Sequence, residues 1–171
     1  MPRTHPIEAA LAPVMKAAGY TKRRRTWHRR EPDVVCVFDA MKSQWSDSFQ
    51  LNLGLYLRAL GPEDRPPEYR CHVRNGLFAL VPDRNRLIQL LDFEDHSVGQ
   101  GRLDELVGLV VRYALPWLSA HSDEEAVGRL VAGGSVLMVD VAAREYFAGR
   151  TASAADTRSA APNLLRGRGI S

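Results

Sequence analysis

The sequence predicts an α+β fold: an antiparallel β-sheet with helices packed on one face, built from an N-terminal helix, then strands, then C-terminal helices. Three observations support this. Apolar residues recur every three or four positions over residues 7–18, which is the spacing of one helix face. The period changes to two over residues 48–58, as in a strand with one buried face. The helical period returns from Arg102 onward, and strands segregated from helices are typical of α+β domains.

The composition is that of a globular protein. The chain has 171 residues, of which 45% are hydrophobic and 25% are charged, and this excludes collagen-like, coiled-coil and wholly disordered proteins. We assign residues 1–150 to a single domain, because a chain of this size can bury a sufficient core without a disulfide or a metal. Residues 151–171 are rich in Ala, Ser, Thr, Arg and Gly and are expected to form a flexible basic tail.

The first helix is predicted over residues 7–18. Its apolar stripe consists of Ile7, Leu11, Val14, Met15 and Ala18. Pro13 lies inside this pattern. Because proline has no backbone N–H to donate, we expect either a kink at Pro13 or a helix that begins near Ala12.

Four strands are predicted to follow, at residues 26–30, 34–42, 48–58 and 69–74. The third shows the clearest alternation, with apolar residues at every odd position from Phe49 to Leu57, and an antiparallel sheet with one polar face has this pattern. We expect Leu53 to be buried. The second and third strands are expected to pair antiparallel, with the helices at 7–18 and 102–118 packed against the face that carries Leu53.

The segments after these strands are predicted from turn and capping signals. Residues 61–67 contain three prolines and should form a loop. Asn75-Gly76 is a two-residue turn signal, so residues 77–81 are interpreted as a returning strand. Residues 87–93 fit both a strand and a helix, and we favour a strand. Helices are then predicted at 102–118, from the capping box at 122–125 to Gly133, and at 136–147.

Short motifs on these elements resemble one known family. Residues 18–22 and 25–29 are similar to its Gly-Phe-Lys-Lys and Arg-Thr-Phe-Tyr-Arg motifs, and Lys42-Ser43 followed by residues 49–54 is similar to its Gln-Lys-Ser…Phe-x-Ile-Asn-Leu-Gly core. Over about residues 7–131 the chain resembles the bacterial domain-of-unknown-function family 4304. The resemblance implies a compact α+β domain and supplies no reaction. Met41 stands where the family has the glutamine before Lys-Ser, so any function of that glutamine is absent here.

A run of cations is the strongest charge feature of the sequence. It could contact phosphates, with Trp27 available to stack on bases. Alternatively, it is a solvated sheet edge kept soluble by its charge, with Trp27 in the core. No recognised nucleic-acid motif accompanies the run, which favours the second interpretation. The candidate basic patch consists of Lys22, Arg23, Arg24, Arg25, Arg29 and Arg30.

Polar side chains on two predicted strands are candidates for a binding surface. Asn52 belongs to the polar face of strand 48–58, and Arg70, His72 and Arg74 share one face of strand 69–74. If these faces coincide, they form a cationic surface that could hold an acidic protein or an anionic ligand. The alternative is the ordinary polar side of an open antiparallel sheet. We also expect the Asn52 side chain to hydrogen-bond a neighbouring loop or strand.

The polar loop at residues 42–48 joins two well-formed strands, and such loops often carry functional sites. Trp45 could be an exposed anchor for a partner, with Lys42 and Ser43 as further candidates beside it. Alternatively, Ser43 satisfies turn amides and Trp45 closes the core.

Catalytic patterns are weak. The sequence has no Gly-x-Ser-x-Gly elbow and no glycine-rich phosphate loop. Cys71 and His72 are adjacent in a predicted strand, so their side chains would point to opposite faces and could not form a dyad. The five histidines lack metal-ligand spacing. We therefore expect no metal and no cofactor, and we favour a protein that is not an enzyme.

The expected function is a non-enzymatic module of the bacterial cytoplasm that binds another protein, in the manner of an immunity or antitoxin protein. A cytoplasmic location is expected because the N-terminus carries no apolar signal segment and no apolar stretch approaches the length of a membrane helix. The alternative function is a nucleic-acid-associated protein that uses the basic segment 22–30. The sequence leaves the partner and the oligomeric state open.

Overall fold

One antiparallel sheet organises the protein in the computed structural model, which describes residues 3–159. The strands lie in chain order, so each pairs with the next along the sequence. Their bounds are β1 (Thr21–Arg23), β2 (Thr26–Arg30), β3 (Val34–Lys42), β4 (Phe49–Leu57), β5 (Val73–Gly76) and β6 (Met138–Val139). The predicted α+β class is confirmed, as is the antiparallel pairing of β3 with β4, in which Phe38 lies opposite Leu53.

The main core lies between one face of this sheet and the helices, and we call this face the helix face. Leu53 is fully buried there, as predicted. Even-numbered residues of β3 and odd-numbered residues of β4 point into this core, where they meet Ile7, Leu11 and Met15 of the first helix and Leu106 of a later one. Burying such side chains contributes about 1.5–3 kcal/mol each.

The helices surround this core. Their bounds are α1 (Pro6–Ala17), α2 (Arg84–Leu91), α3 (Arg102–Leu109), α4 (Leu115–Ala120), α5 (Glu124–Gly133) and α6 (Val141–Ser159). Helix α1 starts at Pro6 and includes Pro13, so the predicted alternative of a start near Ala12 is wrong. The side chain of His5 caps its first turn by accepting a hydrogen bond from the Ile7 N–H (3.2 Å).

A π-helical turn at Val110–Ala114 joins α3 to α4. Pro116 follows it in the first turn of α4. A proline has no N–H to donate and crowds the carbonyl four residues earlier, here that of Arg112. The wider turn, in which the Leu115 N–H reaches back to the Val110 carbonyl, accommodates this position without breaking the helix.

Three predicted elements between β4 and α3 are wrong. Residues 87–93 are mostly helical, because Asp83 caps the helix by accepting from the Arg86 N–H (2.9 Å) and Leu87, Leu90 and Leu91 form its buried stripe. Asn75-Gly76 lies inside β5 rather than in a turn, and residues 77–79 form a 3₁₀ turn. The predicted strand 69–74 is a 3₁₀ turn at Glu68–Arg70 followed by β5.

The other face of the sheet, which we call the open face, is covered over only part of its width. The segment at residues 61–72 packs on it and forms a second small core from Val35, Val37, Tyr56 and Cys71. Gly54 permits this packing, because a Cβ at Gly54 would lie 2.5 Å from the Cys71 sulfur. The remainder of the open face carries the polar residues described below.

The end of the chain differs from its prediction. Helix α6 runs through Ser159, so residues 151–159 continue a helix where a tail was predicted. The remainder of the predicted tail, residues 160–171, lies outside the described residues. Among residues 3–159, no helix combines the length and the apolar character needed to cross a membrane.

Candidate functional site

The end of the β3–β4 hairpin presents Trp45 to solvent. The two strands are closed by a hydrogen bond from the Ser43 N–H to the Ser48 carbonyl (2.8 Å). Within the loop, the Ser43 hydroxyl accepts from the Trp45 N–H (3.1 Å). The Trp45 side chain is 93% exposed, so the alternative in which it closes the core is wrong. Ser43 satisfies a turn amide, as the same alternative proposed.

Ion pairs hold the base of this loop. The Asp47 carboxylate lies 3.3 Å from both the Lys42 ammonium and the His5 imidazole. Partial burial opposes ionisation of Asp47, but the hydrogen bonds from Lys42 and His5 outweigh it and lower the pKa of Asp47. Lys42 is therefore a structural partner of the loop as well as a candidate contact.

A second loop supports the hairpin from the side. The Phe93 N–H donates to the Asp47 carbonyl (2.9 Å), and the Asp47 N–H donates to Glu94 (3.2 Å). The ring of His5 packs between those of Phe49 and Phe93, with centroids 4.6 and 4.7 Å away. These contacts tie the hairpin end to α1 and to residues 92–95, so the exposed tryptophan stands on an ordered base.

The sequence reasoning missed the role of Arg102 in this support. Its buried guanidinium lies 4.9 Å from the Phe93 ring centroid. It donates to four backbone carbonyls, those of Gln89, Leu90, Asp92 and Asp95. An arginine so placed fixes the path of the chain from α2 into residues 92–95. Its position at the start of a predicted helix carried no signal of this role.

The open face near the hairpin carries a polar row that crosses three strands. In register, Thr26 of β2 lies beside Asp39 of β3, which lies beside Asn52 of β4. The Thr26 hydroxyl donates to the Asp39 carboxylate (2.8 Å). Toward the hairpin end, Met41 and Gln50 form the next pair on this face, and both are exposed. The row and the hairpin end are therefore continuous.

The predicted hydrogen bond of the Asn52 side chain is absent. Within the described residues, this side chain has no hydrogen-bond partner, although it is half-buried in the open face. The prediction assumed that a polar residue in the middle of a strand must be satisfied by a neighbouring loop. The segment at residues 61–72 packs on Val35, Val37 and Tyr56 instead and makes no hydrogen bond to the Asn52 side chain.

The three candidates on the predicted strand 69–74 do not form one surface. Arg70 lies in the 3₁₀ turn and pairs with Glu63. His72 is buried, packs its ring against Tyr56 and accepts from the Leu57 N–H (2.9 Å), and burial lowers the pKa of His72. Of the three, Arg74 alone lies in a strand of the sheet, β5, and it donates two hydrogen bonds to Glu68 (2.7 and 2.9 Å).

The basic patch is divided between the two faces of the sheet. Lys22 and Arg25 both pair with the buried Glu8 of α1 (2.9 and 3.2 Å), and Arg29 pairs with Glu31 (2.9 Å). Trp27 is in the core, so the interpretation in which it stacks on bases is wrong. Of the six cations in the candidate basic patch, Arg23, Arg24 and Arg30 are exposed and form no ion pair within the described part of the chain.

A groove of about 1010 Å³ between α5 and α6 lies apart from all of these residues. Its polar lining includes Glu124 and Arg150, which pair with each other, and Glu124 also accepts from the Tyr146 hydroxyl (2.7 Å). Glu124, Tyr146 and Arg150 therefore satisfy one another.

Comparison with known proteins identifies a domain family. A family model described as a domain of unknown function, DUF4304, matches residues 11–120. The matched segment contains α1 from Leu11, strands β1 to β5, and the helices through α4, so it includes the hairpin end and the polar row. No curated protein and no solved structure matches the chain.

Proposed function

Since the chain belongs to the DUF4304 family, a domain family without an assigned activity, we propose that it is a non-enzymatic protein-binding module that contacts its partner through the end of the β3–β4 hairpin. We define the hairpin surface as Asp39, Met41, Trp45, Gln50 and Asn52. The observation that carries the proposal is the 93% exposure of Trp45 on a loop held by ion pairs and backbone hydrogen bonds.

A tryptophan in this position suits protein recognition. Aromatic side chains bury about 150–250 Å² each, and tryptophan is enriched among the few residues that dominate binding energy at interfaces. The loop beneath Trp45 is fixed by Asp47, Lys42 and His5. Little loop entropy is then lost on binding, which favours affinity.

The arrangement of the cations supports a protein partner over nucleic acid. Lys22, Arg25 and Arg29 are engaged by Glu8 and Glu31, so these three charges are already compensated. The buried Trp27 offers no stacking platform. By analogy with other small cytoplasmic bacterial domains, we place the module in the bacterial cytoplasm as an immunity or antitoxin-like partner of another protein.

Site-specific photo-crosslinking tests the proposal. A photoreactive phenylalanine analogue replaces Trp45 in one variant and Val111 in a control variant. Val111 is an apolar residue, 47% exposed, and lies in the helix layer behind the opposite face of the sheet. Irradiation in an extract of the native cells should give one discrete crosslinked protein from position 45 and none from position 111. Equal yields from both positions would reject the hairpin surface as the binding site.

The captured protein must then be produced separately and bound in purified form. We expect direct association with the wild-type chain, without nucleic acid. If a purified candidate binds only when nucleic acid is present, the alternative function is favoured instead.

A further inference from the structure

The Asp39 carboxylate is half-buried, and no cation of the described residues lies within ion-pair distance of it. One of its oxygens accepts from Thr26 (2.8 Å). The neighbouring acidic side chain, Glu68, is already paired with Arg74. Burial raises the pKa of Asp39. The charge of Glu68 adds to this rise, whereas the hydrogen bond from Thr26 and the more distant charge of Arg25 only partly offset it. A desolvated carboxylate is unfavourable unless a cation compensates it.

Asn52 lies directly opposite Asp39 in the register of β3 and β4. Cβ atoms of directly opposed residues in an antiparallel pair are about 4.5–5.5 Å apart. The Asn52 side chain has no hydrogen-bond partner in the described part of the chain, so its amide oxygen and the second Asp39 oxygen are unengaged acceptors on directly opposed residues. The exposed Met41 lies next to them, toward Trp45.

We propose that Asp39 and Asn52 form a subsite that receives an arginine side chain of the protein partner, while Trp45 packs against the surface around that arginine. The subsite rests on the proposed protein-binding function and adds the chemistry of the partner. A guanidinium is planar, stays charged and offers donors in a fork that matches two adjacent acceptors. The cation nearest in sequence to Thr26, Arg25, is already held by Glu8 (3.2 Å) and does not fill this place.

The test uses the whole protein and a small probe, N-acetyl-arginine methylamide, with the uncharged citrulline analogue as a matched control. NMR resonances of the Asn52 side-chain amide and the Trp45 indole N–H are followed during titration. We expect saturable shifts of the Asn52 amide with the arginine probe and none with the citrulline probe. Asp39→Asn should weaken arginine binding at least about tenfold, since a hydrogen bond to a charged group is lost. Asp104→Asn, which removes an exposed carboxylate of α3, should leave binding unchanged.

Asp39→Asn retains an oxygen that accepts from Thr26, and its folding is verified by unchanged backbone resonances far from the site. Asn52→Ala provides a second variant and should also weaken the arginine probe. Equal shifts with both probes, or full binding by Asp39→Asn, overturn the subsite even if Trp45 crosslinks a partner. Conversely, arginine-specific shifts that disappear in Asp39→Asn support the subsite whatever the crosslinking shows. The arginine subsite and the protein-binding function of the hairpin surface can therefore be rejected independently.

Discussion

Glu8 connects α1 to the basic hairpin of β1 and β2. Its buried carboxylate accepts from Lys22 and Arg25 and from the backbone N–H of His5. Burial raises the pKa of Glu8, but these hydrogen bonds outweigh it and lower the pKa overall. Two of the six cations in the candidate basic patch are thereby used to hold the fold together.

Glu8→Gln should therefore destabilise the protein in a pH-dependent manner. A carboxylate whose pKa is lower in the folded state stabilises the protein above its unfolded-state pKa, and this stabilisation is lost as pH falls through the folded-state pKa. We expect a loss of about 1–3 kcal/mol near neutral pH, which shrinks toward zero below about pH 4. Urea unfolding of the wild type and of Glu8→Gln, from neutral pH to below about pH 4, measures this loss of stability.

Glu125→Gln is the control for this comparison, because the Glu125 side chain is 85% exposed and pairs only within α5, with Arg129. It should cost less than about 0.5 kcal/mol. If the difference in unfolding free energy between wild type and Glu8→Gln did not change with pH, the assigned role of the carboxylate would be contradicted.

Residue roles were predicted least well from the sequence. Trp45 and Ser43 were identified because a polar loop between two strong strands is conspicuous. His72 was predicted on the polar face of a strand at residues 69–74, yet it is buried. The prediction failed because residues 68–70 form a 3₁₀ turn and β5 begins only at Val73. Asp39 and Glu8 were missed because their roles depend on contacts between different strands and helices, which local patterns do not encode.

At the scale of elements, β4 depends on the close approach of the segment at residues 61–72. Gly54→Ala would place a methyl group 2.5 Å from the Cys71 sulfur, so we expect a loss of about 1–3 kcal/mol from overpacking. Gly108→Ala is the matched change in α3, where nothing lies within 4 Å of the new Cβ. It should stabilise the protein by about 0.5–1 kcal/mol.

Chemical denaturation of the two alanine variants measures both effects. The free energy of unfolding is expected to fall for Gly54→Ala and to rise for Gly108→Ala, although both replace glycine by alanine. A Gly54→Ala variant as stable as wild type would show that the segment at residues 61–72 does not pack on β4 as described.

Elements with long, strong periodicity were predicted correctly, as was the five-residue strand β2, whereas the short segments between β4 and α3 were not. The alternation across β4 and the apolar run of β3 extend over nine residues each, so pattern and burial agree. The helix α2 has eight residues, and its apolar positions fit either period over so short a length. There the cap by Asp83 decides the outcome in favour of the helix.

At the scale of the molecule, the chain-order sheet with helices on one face follows from the order of the predicted elements. The partial cover of the open face does not, because it depends on how the proline-rich segment folds back onto β3 and β4. That partial cover leaves Asp39 and Asn52 accessible beside the hairpin end. The proposed binding surface is thus a consequence of a loop whose path the sequence did not reveal.

The distribution of charge over the molecule predicts weak binding to nucleic acid. Mixed-sequence DNA or RNA should bind the wild type more weakly than micromolar at about 0.15 M salt, as measured by fluorescence anisotropy. If the segment 22–30 bound nucleic acid, the logarithm of the binding constant would fall with log salt at a slope of about −0.9 per neutralised phosphate on duplex. Joint replacement of Arg23, Arg24 and Arg25 by Ala would then flatten the slope by up to about three phosphates. Tight binding abolished by this triple variant would favour the alternative function.

The central claim is that Trp45 anchors a protein partner, and calorimetric titration of the purified partner with three forms of the chain tests it most directly. Trp45→Ala should leave unfolding stability within about 0.5 kcal/mol of wild type, because the side chain is exposed. It should weaken the partner's affinity by about 30-fold or more, as expected for a tryptophan that dominates an interface. Val111→Ala should change the affinity less than about threefold. Equal affinity of wild type and Trp45→Ala would contradict the claim.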